Sequence, residues 1–261
     1  MNKDIDIELQ HELSLFSTID LAELDSLQLI NRYDRKFIIP ETELLSILSE
    51  LSAEYSVLQI NNNTILGYES DYLDTDDLQF YHAHHNGKSN RVKLRRRFYT
   101  ATNDSYFEIK HKNNKNKTTK KRWKLDPNLP AFSEAIISEL ENPLLIDPAT
   151  INNKLKVKYN RICLVSKSLP EKITIDTSLC FINGKTIPMP GIAIAEIKTP
   201  RPHTRSSFIE IMKHKRISQS SISKYCLGIS LSRPDEKRNR FKKTIRSIDK
   251  ITDALPENFK V

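Results

Sequence analysis

Cysteine is scarce in this chain, and the three that are present, Cys163, Cys180 and Cys226, include no CxxC pair. An odd number without that spacing argues against a disulfide framework and a structural zinc site. Long apolar runs are also missing: no stretch approaches the ~18 residues of a membrane-spanning helix, and the polar residues 1–10 lack the pattern of a signal peptide. We therefore expect a cytoplasmic protein with no transmembrane segment of its own.

Tryptophan occurs once, at Trp123, and neither an RRM signature nor a helix-turn-helix pattern accompanies it. Proteins that bind nucleic acid commonly supply stacking aromatics or such motifs, so a nucleic-acid-binding module ranks low among the interpretations. Positive charge, in contrast, is abundant: the net charge is +8 over 261 residues and the pI is 9.2. This balance favours a polyanionic partner such as a nucleotide, polyphosphate, nucleic acid or an anionic membrane surface.

The positive charge is concentrated in residues 90–100, NRVKLRRRFYT. In a β-strand, alternate side chains point to opposite faces of the sheet. One face of this strand would carry Arg91, Lys93, Arg95, Arg97 and Tyr99. Cations at every second position repel one another, so we expect an anion over this face. A solvated basic edge strand, which protects a sheet against edge pairing, is the alternative interpretation of this stretch alone.

Further predicted strands place Lys or Arg, with an occasional Asp or Glu, on one face and apolar side chains on the other. They are residues 31–39 with Arg32 and Lys36, 104–112 with Glu108 and Lys110, 118–125 with Lys120, 172–179 with Lys172 and Asp176, and 192–198 with Glu196 and Lys198. In the predicted strand 154–166, alternation groups Arg161 with Val157 and Cys163. A bulge or a change of parity would be needed to bring Arg161 to the cationic face.

Helical patterns in residues 1–30, 130–145, 205–217 and 233–250 alternate with these strands. We predict an α+β fold: a closed antiparallel eight-stranded β-barrel with a cation-lined lumen and helices packed outside. Like charges are not buried without counterions at low dielectric, so the lumen must hold water and anions, and Lys and Arg suit phosphate oxygens. Carboxylates among the cations, Glu196 above all and less strongly Glu108 and Asp176, suit a divalent ion that bridges phosphates.

An ordered series of short motifs points to a family. From about residue 31 to residue 229 the chain contains RYDRKF, YLDT, RVKLRRRFY, FEIK, KTTKKR, KYNR, ITIDT, AEIK and SISKY. In this order the series resembles the VTC domain, the polyphosphate polymerase branch of the triphosphate tunnel metalloenzymes (CYTH-like superfamily). The resemblance implies an eight-stranded tunnel that binds a nucleoside triphosphate and the growing polyphosphate. It also implies Mn²⁺ or Mg²⁺ as cofactor and transfer of the γ-phosphoryl group of ATP to a phosphate acceptor.

The resemblance carries roles over to individual residues. It implies catalytic roles for Lys93, Arg95, Lys110, Lys120, Arg161 and Lys224. It implies substrate or phosphate binding by Arg32, Lys36, Arg91, Arg97, Lys172 and Lys198, and metal binding by Glu196. In two places the chain departs from relatives: Ser221 stands where some have a second basic residue, and the E-x-E-x-K signature of hydrolytic tunnel enzymes is absent near residues 32–36, as it is in the VTC branch.

We therefore predict a metal-dependent, ATP-dependent polyphosphate polymerase with an N-terminal helical extension (1–30), a tunnel domain (31–230) and a basic C-terminal helix or tail (231–261). Its expected partners are ATP and polyphosphate, and relatives that work in larger complexes imply a membrane-protein partner for product export. Two alternatives use the same fold: a triphosphatase, and a non-catalytic sensor of polyphosphate or inositol phosphates. A nucleic-acid partner is not expected.

Overall fold

The computed structural model describes residues 3–26, 32–115, 117–126, 132–142, 144–202 and 204–254. Strands and helices alternate along the described residues, and the cationic stretch 90–100 forms the fifth strand. The strands are β1 (Ser17–Ile19), β2 (Tyr33–Pro40), β3 (Tyr55–Leu58), β4 (Leu66–Asp74), β5 (Arg91–Tyr99), β6 (Asp104–Lys112), β7 (Thr118–Leu125), β8 (Asn152–Ser166), β9 (Lys172–Asn183), β10 (Lys185–Pro188), β11 (Ile192–Thr199) and β12 (Gln219–Ser220).

The helices are short, and Ser206 and Ser223 cap two of them by accepting hydrogen bonds from backbone N–H groups of the first turn. They are α1 (Lys3–Ser14), α2 (Leu21–Ser26), α3 (Glu41–Leu51), α4 (Gln79–His85), α5 (Glu134–Glu141), α6 (Ser207–His214), α7 (Lys224–Ser232) and α8 (Lys242–Asp253), with 3-10 turns at Pro148–Thr150 and Asn239–Phe241. The predicted helix 1–30 is interrupted by β1, and its residues 1–2 and 27–30 lie outside the described residues. Among the helices that are described, none has the length and apolar character needed to cross a bilayer.

The described strands form one large sheet. Its main path runs β12–β2–β11–β9–β8–β4–β5–β6–β7, with β10 paired to β9 and β3 to β8. The pairs are antiparallel except β1 with β3, which is parallel. In the described part of the chain no pairing joins β7 to β12 or β2, and we call this open edge the seam. The α+β class is confirmed, whereas the closed eight-stranded barrel is not, because the hydrogen bonds that would close it are missing at the seam.

The sheet nevertheless curls, so that strands distant in its order face each other. Burial lowers the pKa of Lys110 on β6, and the charges of Lys36 on β2 and Glu196 on β11 are close enough to act on it as well. Lys36 likewise acts on Lys93 of β5. We call the face that these side chains share the inner face; it also carries Arg95, Glu108, Arg161 and Asp176.

The outer face is covered by α1, α3 and α6. Alternate residues of β2 and β11, such as Phe37 and Ile197, point away from the inner face because the side-chain period of a strand is two. The apolar stripe of α3 meets them. The resulting buried cluster includes Leu9, Leu13, Phe37, Ile39, Leu44, Ile47, Leu48, Leu51, Ala195, Ile197, Phe208 and Met212.

Helices pack on the inner face as well, which differs from the prediction that they lie outside the barrel. Ile38 and Ile194 have the same parity as Lys36 and Glu196 on their strands. They are buried in one cluster with Val157, Phe181, Tyr225, Leu227, Ile229 and Ile248, so α7 and α8 cover part of this face. A Cβ added at Gly228 of α7 would lie 2.4 Å from Leu155 Cδ2, which shows how closely α7 approaches the sheet. One end of the inner face is therefore apolar and covered.

Arg161 reaches the inner face by simple alternation along β8. Its register partner on β9 is Asp176, and Val157 shares its face, so the bulge that the sequence suggested in β8 is not what positions it. β8 does hold an extra residue near Lys154, where Tyr72 pairs with Leu155 and Leu73 with Asn153, but that point precedes Val157 and leaves the grouping of Val157 with Arg161 unchanged. The irregularity nearer Arg161 lies in β9. Lys158 pairs with Cys180 and Asn160 with Thr177, so β9 holds one extra residue. Ser178 sits there with φ 52°, as in a β-bulge that re-aims the following side chains.

Candidate phosphate-binding site

The inner face brings the predicted cations together from strands that are far apart in the chain. Register explains this for β2 and β11, where Lys36 pairs with Glu196 and Asp34 with Lys198. In the β5–β6–β7 meander, Lys93, Lys110 and Lys120 occupy successive strands in register. Lys224 arrives from a helix, since it is the first residue of α7. The result is a face in which cations outnumber carboxylates.

Glu196 lies between two lysines. Its carboxylate oxygens are 2.9 Å from Lys36 Nζ and 2.7 Å from Lys198 Nζ. Burial alone would raise the pKa of Glu196, but the charges of Lys198 and Lys36 outweigh burial and hold that pKa well below its usual value. Glu196 is therefore an anion at neutral pH.

Asp176 holds a second pair of cations. Its oxygens accept hydrogen bonds from Arg161 Nε at 2.6 Å and Arg161 Nη2 at 2.8 Å, and Lys224 Nζ contacts the same carboxylate. Burial opposes ionisation of Asp176, yet Arg161 and Lys224 keep its pKa well below its ordinary value. This bidentate geometry fixes the guanidinium plane of Arg161.

Glu108 holds a third pair. It accepts from Arg95 Nε at 2.6 Å and lies 2.7 Å from Lys120 Nζ. Burial would raise the pKa of Glu108, but the surrounding cations, Arg95 first, depress it strongly. In each of the three groups one carboxylate thus orders two cations, which reduces the conformational entropy that an incoming anion would otherwise have to overcome.

Three further cations have no carboxylate partner among the described ion pairs. Lys93 Nζ is 3.4 Å from Ser223 Oγ, and burial lowers the pKa of Lys93. Arg97 is 7% exposed, and its Nε is 3.5 Å from Ser70 Oγ. Lys110 is the third. Arg97 is buried, Lys93 is half-buried and Lys110 is exposed. A cation held out of water without a counterion is unfavourable, so Arg97 and Lys93 are the groups most ready to bind an anion, and Lys110 is accessible to the same anion.

The remaining predicted residues lie at the margins of the site. Arg32 is 3.3 Å from Asp34 with its side chain 45% exposed. Arg91 Nη1 donates to the carbonyl of Lys88 at 3.2 Å. Lys172 pairs in register with Lys198 at the start of β9. All three flank the charged groups but contact none of their carboxylates in the described ion pairs.

The family model of the VTC domain matches residues 31–233, which is most of the chain. The chain belongs to the VTC domain family. A search of curated proteins finds no match to it.

Solved structures are similar to this VTC domain at low sequence identity, and one with a TM-score above 0.5 shares its overall fold. A candidate adenylate cyclase from Bacillus halodurans has a TM-score of 0.52 and 16% identity over 81% of this chain and 97% of that one. A candidate adenylyl cyclase from Hippeastrum, described as having a dominant triphosphatase activity, has a TM-score of 0.49 and 16% identity over 76% of this chain and 94% of that one. A candidate adenylate cyclase from Vibrio parahaemolyticus has a TM-score of 0.43 and 12% identity over 75% and 95% of the two chains.

Tyr72 is an inner-face residue of the VTC domain that the sequence analysis missed. Its ring lies 4.6 Å from Lys93 Nζ, and its hydroxyl is 3.5 Å from Arg95 Nη1. Burial raises the pKa of this phenol, but the charges of Lys93, Arg95 and Arg97 outweigh burial and bring the pKa of Tyr72 down to about 7. The sequence holds a signal for Tyr72, because Tyr68, Ser70 and Tyr72 alternate in YESDY and so share one strand face. In the structure this strand, β4, pairs directly with the cationic β5.

The carboxylates of the site limit how a metal ion could be held. The described residues contain no group of three or more His, Cys, Asp and Glu side chains placed to hold one. Glu108 and Asp176 have side chains 2% and 4% exposed, whereas that of Glu196 is 23% exposed. Mg²⁺ commonly takes one or two carboxylates together with substrate phosphates and water. The donor set therefore fits an ion shared between Glu196 and bound phosphates, and not a cage built from protein alone.

His84 on α4 borders the charged region, and we predict a pH-dependent stability from it. Burial, with help from the charges of Arg91, Lys93 and Arg240, lowers the pKa of His84 to about 4, against about 6.5 in an unfolded chain. The unfolded state then binds the proton first, so stability is complete above about pH 6.5 and falls as the pH drops toward about 4.

We expect His84→Gln to remove about 2 kcal/mol of the loss in unfolding free energy between pH 7 and pH 5. Urea denaturation at the two pH values measures this. His11→Gln, on an exposed position of α1, serves as the control and should leave the difference unchanged. An equal pH dependence in wild type and His84→Gln would contradict the assignment.

Proposed function

We propose that this protein is an ATP-dependent polyphosphate polymerase that transfers the γ-phosphoryl group of ATP to the end of a growing polyphosphate chain. The observation that carries the proposal is the set of inner-face cations without carboxylate partners among the described ion pairs, the buried Arg97 and the half-buried Lys93 above all. These groups need an anion with several oxygens, and membership of the VTC domain family supports a phosphate chain as that anion. In this proposal the curled sheet acts as a tunnel around the substrate.

Phosphoryl transfer depends on charge neutralisation and in-line positioning more than on a covalent nucleophile. In the proposed reaction a terminal phosphate oxygen of the polymer attacks the γ-phosphorus, the bond from that phosphorus to the β,γ-bridging oxygen breaks, and ADP leaves. The acceptor oxygen is already ionised, so no general base is needed. The work of the protein is therefore to hold two polyanions together against their repulsion.

We assign that work to the paired and unpaired cations of the inner face. Lys93, Arg97 and Lys110 would bind phosphate oxygens directly. The cations that are paired with a carboxylate would present their remaining N–H groups to the same phosphate chain. These cations are Arg95, Lys120, Arg161 and Lys224, with Lys36 and Lys198 beside Glu196. The N-terminus of α7 lies at Lys224 and adds its positive dipole end.

We propose Glu196 as the protein ligand of Mg²⁺ or Mn²⁺, with Glu108 and Asp176 as less accessible carboxylates. When bound, the ion would neutralise charge on the phosphate oxygens that it shares with Glu196. Lys36 and Lys198 form ion pairs with Glu196 in this structure. With the ion at Glu196, these two lysines would contact phosphate oxygens instead. Arg32, Arg91 and Lys172 are proposed to extend the positive field at the margins and to attract the chain.

The proposal is tested by incubating the purified protein with ATP and Mg²⁺ or Mn²⁺ and measuring long-chain polyphosphate, ADP and free phosphate separately. We expect polymer with matching ADP, and a decrease of about 100-fold for Glu196→Gln because an electrostatic contact to the reacting groups is lost. Glu210→Gln is the matched control, since Glu210 is an exposed carboxylate paired with Lys213 on α6.

Each other outcome has a distinct meaning. Free phosphate without polymer would indicate a triphosphatase. Binding of ATP or polyphosphate without turnover would indicate a sensor, and salt should weaken that binding because it is electrostatic. Polymer synthesis that is equal in wild type and Glu196→Gln would contradict the role of Glu196.

We also propose the cytoplasm as the site of the reaction and a membrane-protein partner that takes up the product. The three cysteines carry free thiols, with Cys163 and Cys226 buried, the state that a reducing compartment maintains. ATP and polyphosphate are the proposed small partners, and no nucleic-acid partner is proposed.

A further inference from the structure

A group of aromatic side chains lies on the inner face beyond Arg97, where β5 ends and β6 begins. Tyr68 and Tyr99 have ring centroids 4.9 Å apart at 69°, and Tyr99 and Tyr106 have centroids 5.7 Å apart at 84°. These are the edge-to-face arrangements that tyrosines favour. Arg122 of β7 completes the group, and we call these four residues the tyrosine–arginine cluster.

The guanidinium group of Arg122 lies over the Tyr106 ring of this cluster. Its Cζ lies 3.5 Å from the centroid of the Tyr106 ring, and its Nη2 donates to the Tyr99 hydroxyl at 3.1 Å. The nearest carboxylate oxygen in its ion pairs, on Glu108, is 3.9 Å from Nε, so no close ion pair accounts for its position. The side chain is still 40% exposed. A guanidinium that covers an aromatic ring on one side and remains accessible can stack with a second planar group.

The position of the cluster relative to the phosphate-binding cations suggests what that planar group is. Lys93, Arg95, Arg97 and Tyr99 follow one another on the inner face of β5. Lys93 reaches Ser223 at the start of α7, so this end of β5 lies against the covered part of the inner face. Arg97 lies at the other side, with its Cζ 5.5 Å from the Tyr68 ring and 6.0 Å from the Tyr99 ring. A triphosphate that runs along β5 with its terminal phosphate at Lys93 therefore brings its nucleoside to the cluster.

We propose that the tyrosine–arginine cluster is the nucleoside-binding subsite, where the base of a nucleoside triphosphate stacks on Arg122. This assignment rests on the proposed function, because it takes the phosphate chain to lie along β5. Stacking recognises the face of a base and tolerates changes at its edge. We therefore expect ATP and GTP to bind with similar affinity, and both to bind more tightly than inorganic tripolyphosphate.

The test compares binding of ATP and of tripolyphosphate, each with Mg²⁺, by calorimetry on the full chain. Arg122→Lys keeps the charge and removes the plane, so it should weaken ATP binding by about 5- to 20-fold and leave tripolyphosphate binding within about 2-fold. Arg122→Ala should weaken ATP binding at least as much, with a smaller loss for tripolyphosphate from the missing charge. Lys124→Ala is the matched control, because Lys124 is a neighbouring exposed cation paired with Asp104 at 2.6 Å; it should change the two affinities equally.

The outcomes separate this inference from the proposed function. An unchanged ratio of the two affinities in both Arg122 variants would overturn the subsite, even if the protein makes polyphosphate. Wild-type binding of tripolyphosphate without any preference for ATP would overturn it as well. A selective loss of ATP binding in Arg122→Lys would support the subsite even if no polymer is formed, and the retained tripolyphosphate affinity would show that the variant is folded.

Discussion

Replacing Asp176 with alanine is expected to lower the free energy of unfolding by about 3–5 kcal/mol. The side chain is 4% exposed and is the shared partner of Arg161 and Lys224, whose side chains are 17% and 13% exposed. Without the carboxylate, two buried cations repel each other with no counterion. Removing one member of a buried ionic group is far more destabilising than the net contribution of the group, because the remaining charges stay desolvated.

Urea denaturation at pH 7 in phosphate-free buffer measures this effect. The omission of phosphate matters because a bound anion would replace the missing carboxylate. Glu210→Gln removes a carboxylate from the exposed pair with Lys213, whose side chains are 56% and 65% exposed, and should change stability by less than about 1 kcal/mol. A loss below about 1 kcal/mol for Asp176→Ala would show that Arg161 and Lys224 are solvated well enough to need no partner.

Lys93→Met is expected to weaken tripolyphosphate binding by about 10- to 100-fold while leaving the fold as stable as before or more stable by about 1 kcal/mol. Hydrogen bonds to charged groups contribute about 1.5–3 kcal/mol each, and about 1.4 kcal/mol corresponds to a factor of ten. Lys93 has no carboxylate partner among the described ion pairs, and Arg95 and Lys36 add like charge to its desolvation. Methionine has a similar length without the charge.

Lys224→Met is the matched comparison, since Lys224 is a paired cation. It should weaken tripolyphosphate binding and also lower the unfolding free energy, because Asp176 loses one of its two partners. Calorimetry and urea denaturation on both variants measure the two effects. Equal destabilisation by Lys93→Met and Lys224→Met would contradict the distinction between paired and unpaired cations.

The sequence was sufficient to predict which side chains share a strand face. The period of two places Lys93, Arg95 and Arg97 together on β5, and Glu196 with Lys198 on β11, without any knowledge of the neighbouring strands. The contact of Lys36 with Glu196 depends on the register of β2 against β11. That register is fixed by long-range pairing, which the local pattern does not encode.

Three features of the site escaped the sequence analysis for physical reasons. The bulge at Ser178 is a backbone irregularity at a residue with no special preference for positive φ. The position of α7 was not apparent because Tyr225, Leu227 and Ile229 are buried around the helix, so it has no amphipathic stripe to indicate one covered face. The closed barrel was predicted and is not confirmed, since closure depends on hydrogen bonds between edge strands and not on residue type.

The seam has a mechanical consequence for the polymer product of the proposed reaction. A closed ring releases a long chain only when an end passes through it, whereas a clamp with an open side also releases the chain laterally. In the described residues the edge strand β7 is rich in Lys and Arg, and β2 on the other side carries Arg35 and Lys36, so like charges oppose pairing of the two edges. A polyphosphate of any length could therefore leave this sheet sideways, without threading, as soon as its contacts with the cations weaken.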